Sequence, residues 1–179
     1  MKSQKNNIAL VGVGLLGGSI AQRLIKKGFS VGVWNRTKKK CDYLVSIGAK
    51  MIFSLNEICD DYSTIIMVLK DGEISISVIQ KLKSIKGKLL IQMGTIGSCS
   101  SKMLEEIVLK RGGYYLEAPV LGSVNEALSG KLLFMIGGNK KKFLENKYIF
   151  SSLSQKYIYF GSTSKASNTK LLLNFLIAI

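Results

Sequence analysis

A short apolar run closed by glycines constrains this chain more than any other feature: residues 8–18 read IALVGVGLLGG, with SIAQRLIKKG directly behind. Ile8, Leu10, Val11 and Val13 are apolar and mostly β-branched, as suits a strand buried on both faces. Ile20, Leu24 and Ile25 then recur at helical spacing, and Gly28 stops the helix. Between the two, Gly12 permits a tight strand-to-helix turn, Gly14 lets backbone approach a ligand, and Gly17 lets the helix pack on the strand. A helix entered this way presents free N–H groups and the positive end of its dipole to an anion. The segment reads as a dinucleotide-binding turn, with Gly12, Gly14, Leu15, Leu16 and Gly17 around the pyrophosphate. The alternative is an ordinary glycine turn with no ligand, since glycines gather in turns of many kinds.

The next strand, Phe29 to Trp34, ends in Asn35-Arg36-Thr37-Lys38. An NAD-specific site places an Asp or Glu there to take the ribose 2′-hydroxyl, and this chain has none. A guanidinium, a hydroxyl and an amide suit a 2′-phosphate instead, and Arg36 can also lie flat on an adenine ring. NADP is favoured over NAD on this ground. A solvated basic turn opening a helix is the competing account of the same residues.

The 179 residues suffice for one core, and 47% hydrophobic with 21% charged residues is a globular composition. The net charge of +15 would point to nucleic acid if focused, but the lysines are scattered, with tight runs only at Lys38–Lys40 and Lys140–Lys142. Nucleic acid is an unlikely partner, since neither an aromatic platform nor a recognition-helix cluster accompanies them. Cys41, Cys59 and Cys99 show no paired spacing, so a reduced, cytoplasmic protein is expected. The chain lacks histidine, which excludes Ser-His-Asp catalysis and histidine-ligated zinc and leaves lysine, tyrosine or carboxylates to move protons; no metal site is expected. Residues 2–25 resemble a secretory signal only superficially, because glycines interrupt the apolar stretch. The apolar tail, residues 171–179, is too short to span a bilayer and contains Asn174; no membrane role is expected.

Further strands are expected at Thr64–Leu69, Lys88–Gln92, Tyr114–Glu117, Leu132–Ile136 and Tyr157–Phe160, with helices between them. Asp71 caps one helix, Ser100 or Ser101 opens another, and Asn139 precedes a helix's first turn. This alternation implies an α/β fold, a doubly wound and mainly parallel sheet. Ligands lie off the carboxyl ends of such strands, which gathers Gly12–Gly17, Asn35–Thr37, Leu69 to Asp71 with Lys70, Gly94 to Ile96 with Thr95, and Glu117–Ser123 on one rim.

Those segments, in that order, resemble the β-hydroxyacid dehydrogenase family, which includes 3-hydroxyisobutyrate dehydrogenases, tartronate semialdehyde reductases and 6-phosphogluconate dehydrogenases. Glu117-Ala118-Pro119-Val120-Leu121-Gly122, continuing through Ala127, Gly130, Leu132 and Met135 to Gly137-Gly138, is similar to that family's D-A-P-V-S-G stretch. Met93-Gly94-Thr95-Ile96-Gly97 resembles its S-T-[VI]-S-P loop, and Lys170 with Asn174 resembles its lysine and asparagine four residues apart. The resemblance implies a Rossmann-type nucleotide domain over residues 1–163, with residues 164–179 starting a long interdomain helix. It implies Lys170 as general acid/base with Asn174 beside it. Thr95 would serve both coenzyme and substrate, and Leu121, Gly122 and Ser123 would line the substrate site. A lysine partly desolvated against an apolar helix and a nicotinamide has its charged form disfavoured, which suits the role.

Leu121 replaces the family's substrate-anchoring serine and cannot bond a carboxylate, so the Gly122 and Ser123 N–H groups and the Ser123 hydroxyl are expected to substitute. Gly161, Ser164 and Ala166 stand where the family has glycines before the lysine. The family continues into an all-helical domain that completes the substrate pocket and the dimer. The expectation is therefore an NADP-dependent oxidoreductase domain acting on a small-molecule substrate, as a homo-oligomer or with its helical half from another chain. The alternative is a truncated, non-catalytic NADP(H)-binding partner or scaffold.

Overall fold

The computed structural model describes residues 7–177, so the start of the signal-like stretch and the last two residues of the tail lie outside the described residues. The chain runs β1 (Asn7–Val11), α1 (Leu15–Lys26), β2 (Ser30–Trp34), a 3₁₀ turn at Lys38–Cys41, α2 (Asp42–Ser46), β3 (Lys50–Met51), α3 (Glu57–Asp61), β4 (Thr64–Met67) and α4 (Gly72–Lys81). It continues through β5 (Leu89–Gln92), α5 (Ser98–Lys110), β6 (Tyr114–Glu117), β7 (Val120–Leu121), α6 (Val124–Ser129), β8 (Leu132–Gly138), α7 (Lys140–Glu145), α8 (Lys147–Leu153), β9 (Ser154–Gly161) and α9 (Lys165–Ile177).

From Ile8 onward β1 is apolar and buried, because it lies mid-sheet with helices over both faces. Alternate residues point to opposite sides. Ile8 and Leu10 enter the core built with Ile20, Ala21 and Leu24 of α1, while Ala9 and Val11 enter a second core with Val78 and Ile79 of α4 and Leu104 and Val108 of α5. The sheet order is β3-β2-β1-β4-β5-β6-β8-β7, with β9 paired to β8. The first six strands are parallel neighbours, so the order reverses between β1 and β4, where an open α/β sheet forms its ligand crevice. This is the Rossmann-type arrangement.

Beyond β6 the sheet changes character. β8 runs antiparallel to β6 and to β7, and β9 runs parallel to β8. Pro119 separates β6 from β7; it has no N–H to give the ladder, and its carbonyl accepts from Met135 N–H at 3.0 Å.

Several boundaries move from their expected places. β4 ends at Met67, two residues early, because Val68 and Leu69 turn off the sheet toward the crevice. The short β3 and β7 carry too few residues for a period-two signal to emerge. β9 spans eight residues, and its exposed or half-buried side hides the early part of its pattern. Asp71 does cap α4, accepting from Ile74 N–H at 2.9 Å, and Asn139 caps α7 through Lys142 N–H at 2.9 Å. α5, however, opens at Ser98 behind an extended Gly97, which leaves Ser101 one turn inside the helix with its hydroxyl pointing into the core.

Candidate coenzyme and catalytic site

The glycine turn sits at the end of β1. Gly12 has φ of +102°, a conformation L side chains rarely adopt, and an added Cβ would overlap the Val68 carbonyl oxygen. A Cβ on Gly17 would overlap the carbonyl oxygen of Gly12 and lie 3.3 Å from Val68 Cβ. Packing therefore requires both glycines. Gly14 differs, because a Cβ there meets nothing within 4 Å. It precedes α1, whose N-terminus has no side-chain cap and no acid in its first turn; Gly14 and Leu15 are exposed and Leu16 is half-buried. The first N–H groups of a helix have no carbonyl within it to bond, so this end is open to an external acceptor.

Beside the turn lies a cleft of about 530 Å³ between the ends of β2 and β4, which brings together Asn35, Arg36 and Thr37 with Leu69 and Lys70. Trp34 and Lys40 also line it, as does one stripe of α4 at Ile74, Ser77, Val78 and Lys81. Sequence reasoning missed that stripe, although its three- and four-residue spacing was visible. Four cations, Arg36, Lys40, Lys70 and Lys81, share the cleft with one carboxylate, Glu73, so its field favours an anion. A second hollow of about 370 Å³ at Gly14, Leu15 and Gly18 also contains Lys40, so the two meet at that residue.

The basic turn also makes bonds of its own. Asn35 is tied into the turn: its Oδ1 accepts from Val13 N–H at 3.1 Å, and one of its two Nδ2 hydrogens goes to the Thr37 carbonyl at 3.0 Å. Asn35 braces the glycine turn against the end of β2. Lys38 turns away from the cleft, donating to the carbonyls of Ile52 at 2.8 Å and Phe53 at 2.9 Å beneath the Trp34 ring. Of that lysine run, Lys40 lines the cleft.

On the substrate side the expected residues are less well furnished. Thr95 is exposed after β5 and Leu121 is half-buried in β7. Gly122 has φ of +122°. The expectation that Ser123 supplies anion donors is corrected by Glu126: its carboxylate accepts from Ser123 N–H at 2.8 Å and from the Ser123 hydroxyl at 2.6 Å. Those bonds hold the Glu126 carboxyl below its usual range. Both donors are thus occupied by a group of the same charge as a carboxylate substrate, and Gly122 N–H is left as the expected anchor. None of these residues, nor Lys170, lines the two hollows.

Lys170 stands on α9, on the face that also buries Ala166 and Ser167. It is 8% exposed, and burial lowers its pKa from the ordinary lysine value. Among the described residues it forms no ion pair. Asn174, one turn on, is exposed. Below the start of α9 lies Glu117, fully buried and paired with donors only, a role its place in the sequence did not signal. Among the described residues no cluster of three or more His, Cys, Asp or Glu could hold a metal ion, and no helix is long and apolar enough to cross a membrane.

The open α1 terminus and the adjoining cationic cleft suit an anionic dinucleotide. The family of the NAD binding domain of 6-phosphogluconate dehydrogenase matches residues 7–161. Glyoxylate/succinic semialdehyde reductase 1 of Arabidopsis thaliana is 31% identical over 175 residues, covering 95% of this chain and 61% of that protein. The Mycobacterium tuberculosis 3-hydroxyisobutyrate dehydrogenase structure with L-serine superposes with a TM-score of 0.90 at 21% identity, over 97% of this chain and 60% of that one. A reductive aminase of Aspergillus terreus, solved with NADPH and ethyl-5-oxohexanoate, gives 0.90 at 20% identity over 97% and 61%. The chain spans about a third to three-fifths of the length of the curated relatives it matches. It belongs to the 6-phosphogluconate dehydrogenase family, as an NAD(P)-binding domain of the kind found in 3-hydroxyisobutyrate dehydrogenase-like hydroxyacid dehydrogenases and reductases.

Proposed function

We propose that this chain is the coenzyme domain of an NADP(H)-dependent oxidoreductase acting on a small hydroxy acid or semialdehyde, with Lys170 as its general acid/base. The nucleotide domain takes in residues 1–163, and residues 164–179 begin the helix that leads to a helical half, supplied by a longer chain or a second one. The observation that carries the reading is Lys170 itself: a lysine 8% exposed, with its pKa lowered by burial and no counter-ion among the described residues, on the helix that leaves a coenzyme domain. A structural lysine is normally solvated or paired.

Arg36 and the Thr37 hydroxyl hold the 2′-phosphate, Lys40 and Lys70 add positive field, and the first N–H groups of α1 hold the pyrophosphate. The coenzyme, when bound, supplies or accepts hydride. Lys170 gives its ammonium proton to the carbonyl oxygen in reduction and takes the hydroxyl proton in oxidation; its lowered pKa brings both forms closer to working pH. Asn174 orients the substrate group beside it, Thr95 contacts both ligands, and Gly122 N–H anchors the acid. NADP over NAD is supported by the cations of the cleft and by the NADPH complex of the aminase relative.

A second reading, coenzyme binding without turnover, draws on Leu121 and on the engagement of Ser123 by Glu126. Calorimetric titration with NADPH and NADH, followed by assays on glyoxylate, semialdehydes and 3-hydroxy acids, separates the two. The expected result is tighter NADPH binding with turnover that Lys170→Ala abolishes at nearly unchanged NADPH affinity. NADPH binding with no turnover on any of these substrates selects the second reading, and no heat with either coenzyme overturns both.

A further inference from the structure

Glu117 is 0% exposed, and every partner it has is a donor. Its Oε1 accepts from Ala166 N–H at 2.9 Å and Ser167 N–H at 3.4 Å; its Oε2 accepts from the hydroxyls of Ser101 at 2.6 Å and Ser167 at 2.5 Å. The single hydrogen of Ser101 is thereby used, so at the 2.8 Å contact between Ser101 and Tyr115 it is the phenol that donates. Burial pushes the Tyr115 phenol well up, which keeps that proton in place. The chain of bonds runs from Tyr115 on β6 through Ser101 on α5 to Glu117, and from there into the first turn of α9. The β8 residue beneath is Gly137, where a Cβ would stand 2.5 Å from Glu117 Oε1.

We infer that Glu117, with Ser101 and Ser167, is the positioning group that sets the rotation of α9 and so the direction in which Lys170 points. The inference rests on Lys170 being the acid/base. Ala166 and Ser167 lie four and three residues before Lys170, so the clamped N–H groups and the lysine share one helix face. The rest of α9 offers little hold: Leu171, Leu172, Phe175, Leu176 and Ile177 are exposed. A second tie, from the Thr163 hydroxyl to Glu105 of α5 at 2.6 Å, anchors the entry to the helix and leaves its rotation free. One residue of slip turns a helix by about 100° and would carry Lys170 off the buried face.

The test is competitive labelling of the 179-residue chain with trace acetic anhydride over roughly pH 7 to 11, read by mass spectrometry at Lys170 against exposed Lys39 and Lys102. In Glu117→Ala, the Lys170 curve should move up in pH toward the exposed lysines by about one unit, a tenfold change in amine fraction. Loss of a nearby negative charge alone moves an ammonium pKa down, so an upward move isolates the change of position. Glu117→Asp, which keeps the carboxylate, should restore most of the original curve. An unchanged or lowered curve in a folded Glu117→Ala chain overturns the inference. Should that variant fail to fold, Ser101→Ala and Ser167→Ala each remove one donor and keep the charge; both must move the curve upward, or the inference falls. The readout needs no turnover, so an inactive chain bears on the role of Lys170 and leaves the role of Glu117 to be judged separately.

Discussion

Two helix N-termini in this molecule begin with the same physical problem and end differently. Each presents unbonded N–H groups and a partial positive charge. At α9 the fold supplies the anion itself, in Glu117, and the helix end becomes a buried joint. At α1 no side chain fills the place, Gly14 leaves open space, and Leu15 is 86% exposed. Asp71 at α4 and Asn139 at α7 belong with α9. A helix end that folding has already satisfied serves architecture, and one held open by glycines is left for a ligand.

The comparison breaks if the two ends respond alike to mutation. The largest expected effect on coenzyme binding is at the open end: Gly17→Ala drives a methyl into the Gly12 carbonyl, should cost about 1–3 kcal/mol of stability and should remove measurable NADPH binding by calorimetry. At the closed end, Glu117→Ala strands buried donors and should cost about 2–4 kcal/mol in urea unfolding, with the NADPH dissociation constant little changed. Arg36→Ala sharpens the reading of the open end, lowering NADPH affinity by roughly 10- to 100-fold while NADH affinity stays near its original value.

Lys170→Met should raise stability by about 0.5–2 kcal/mol at neutral pH, as when an acid/base group is traded for an apolar one. The folded pKa of Lys170 lies below its unfolded value. Between the two the unfolded chain binds more protons, so the native protein gains stability as pH rises through that window, and the burial cost is fully present below it. The variant should lose that part of the pH dependence in unfolding curves. The smallest effect is at Ser164, which holds φ of +78° just before α9. Ser164→Gly should relieve that strain and add about 0.5–1 kcal/mol, read as a raised urea midpoint; a loss would show that the serine side chain matters to the joint.

The opening unit was legible because its evidence is local. β1, the turn and α1 are contiguous, and each glycine's task follows from backbone sterics. Asn35 shows where this stops. Its type and position suggested a ligand contact, but its bond to Val13 depends on how β2 sits beside β1, and no spacing encodes that. Ser123 differs in kind: by residue type its hydroxyl suits a ligand, but Glu126, three residues on, takes it in a local helix cap. The Ser-x-x-Glu spacing of Ser123 and Glu126 carries that cap in the sequence itself.

The sequence by itself determined the α/β alternation, the glycine turn, the missing acid after β2 and a lysine at the right distance before an asparagine, because these are properties of residue type and short spacing. Tertiary structure alone decided that Glu117 meets Ala166 and Ser167, about fifty residues later, and that Lys170 is buried while Lys38 is spent on carbonyls. Which donor finds which acceptor, and which charge loses its water, is fixed only when distant segments are brought to one place, since burial and pairing are relations between segments and not attributes of either.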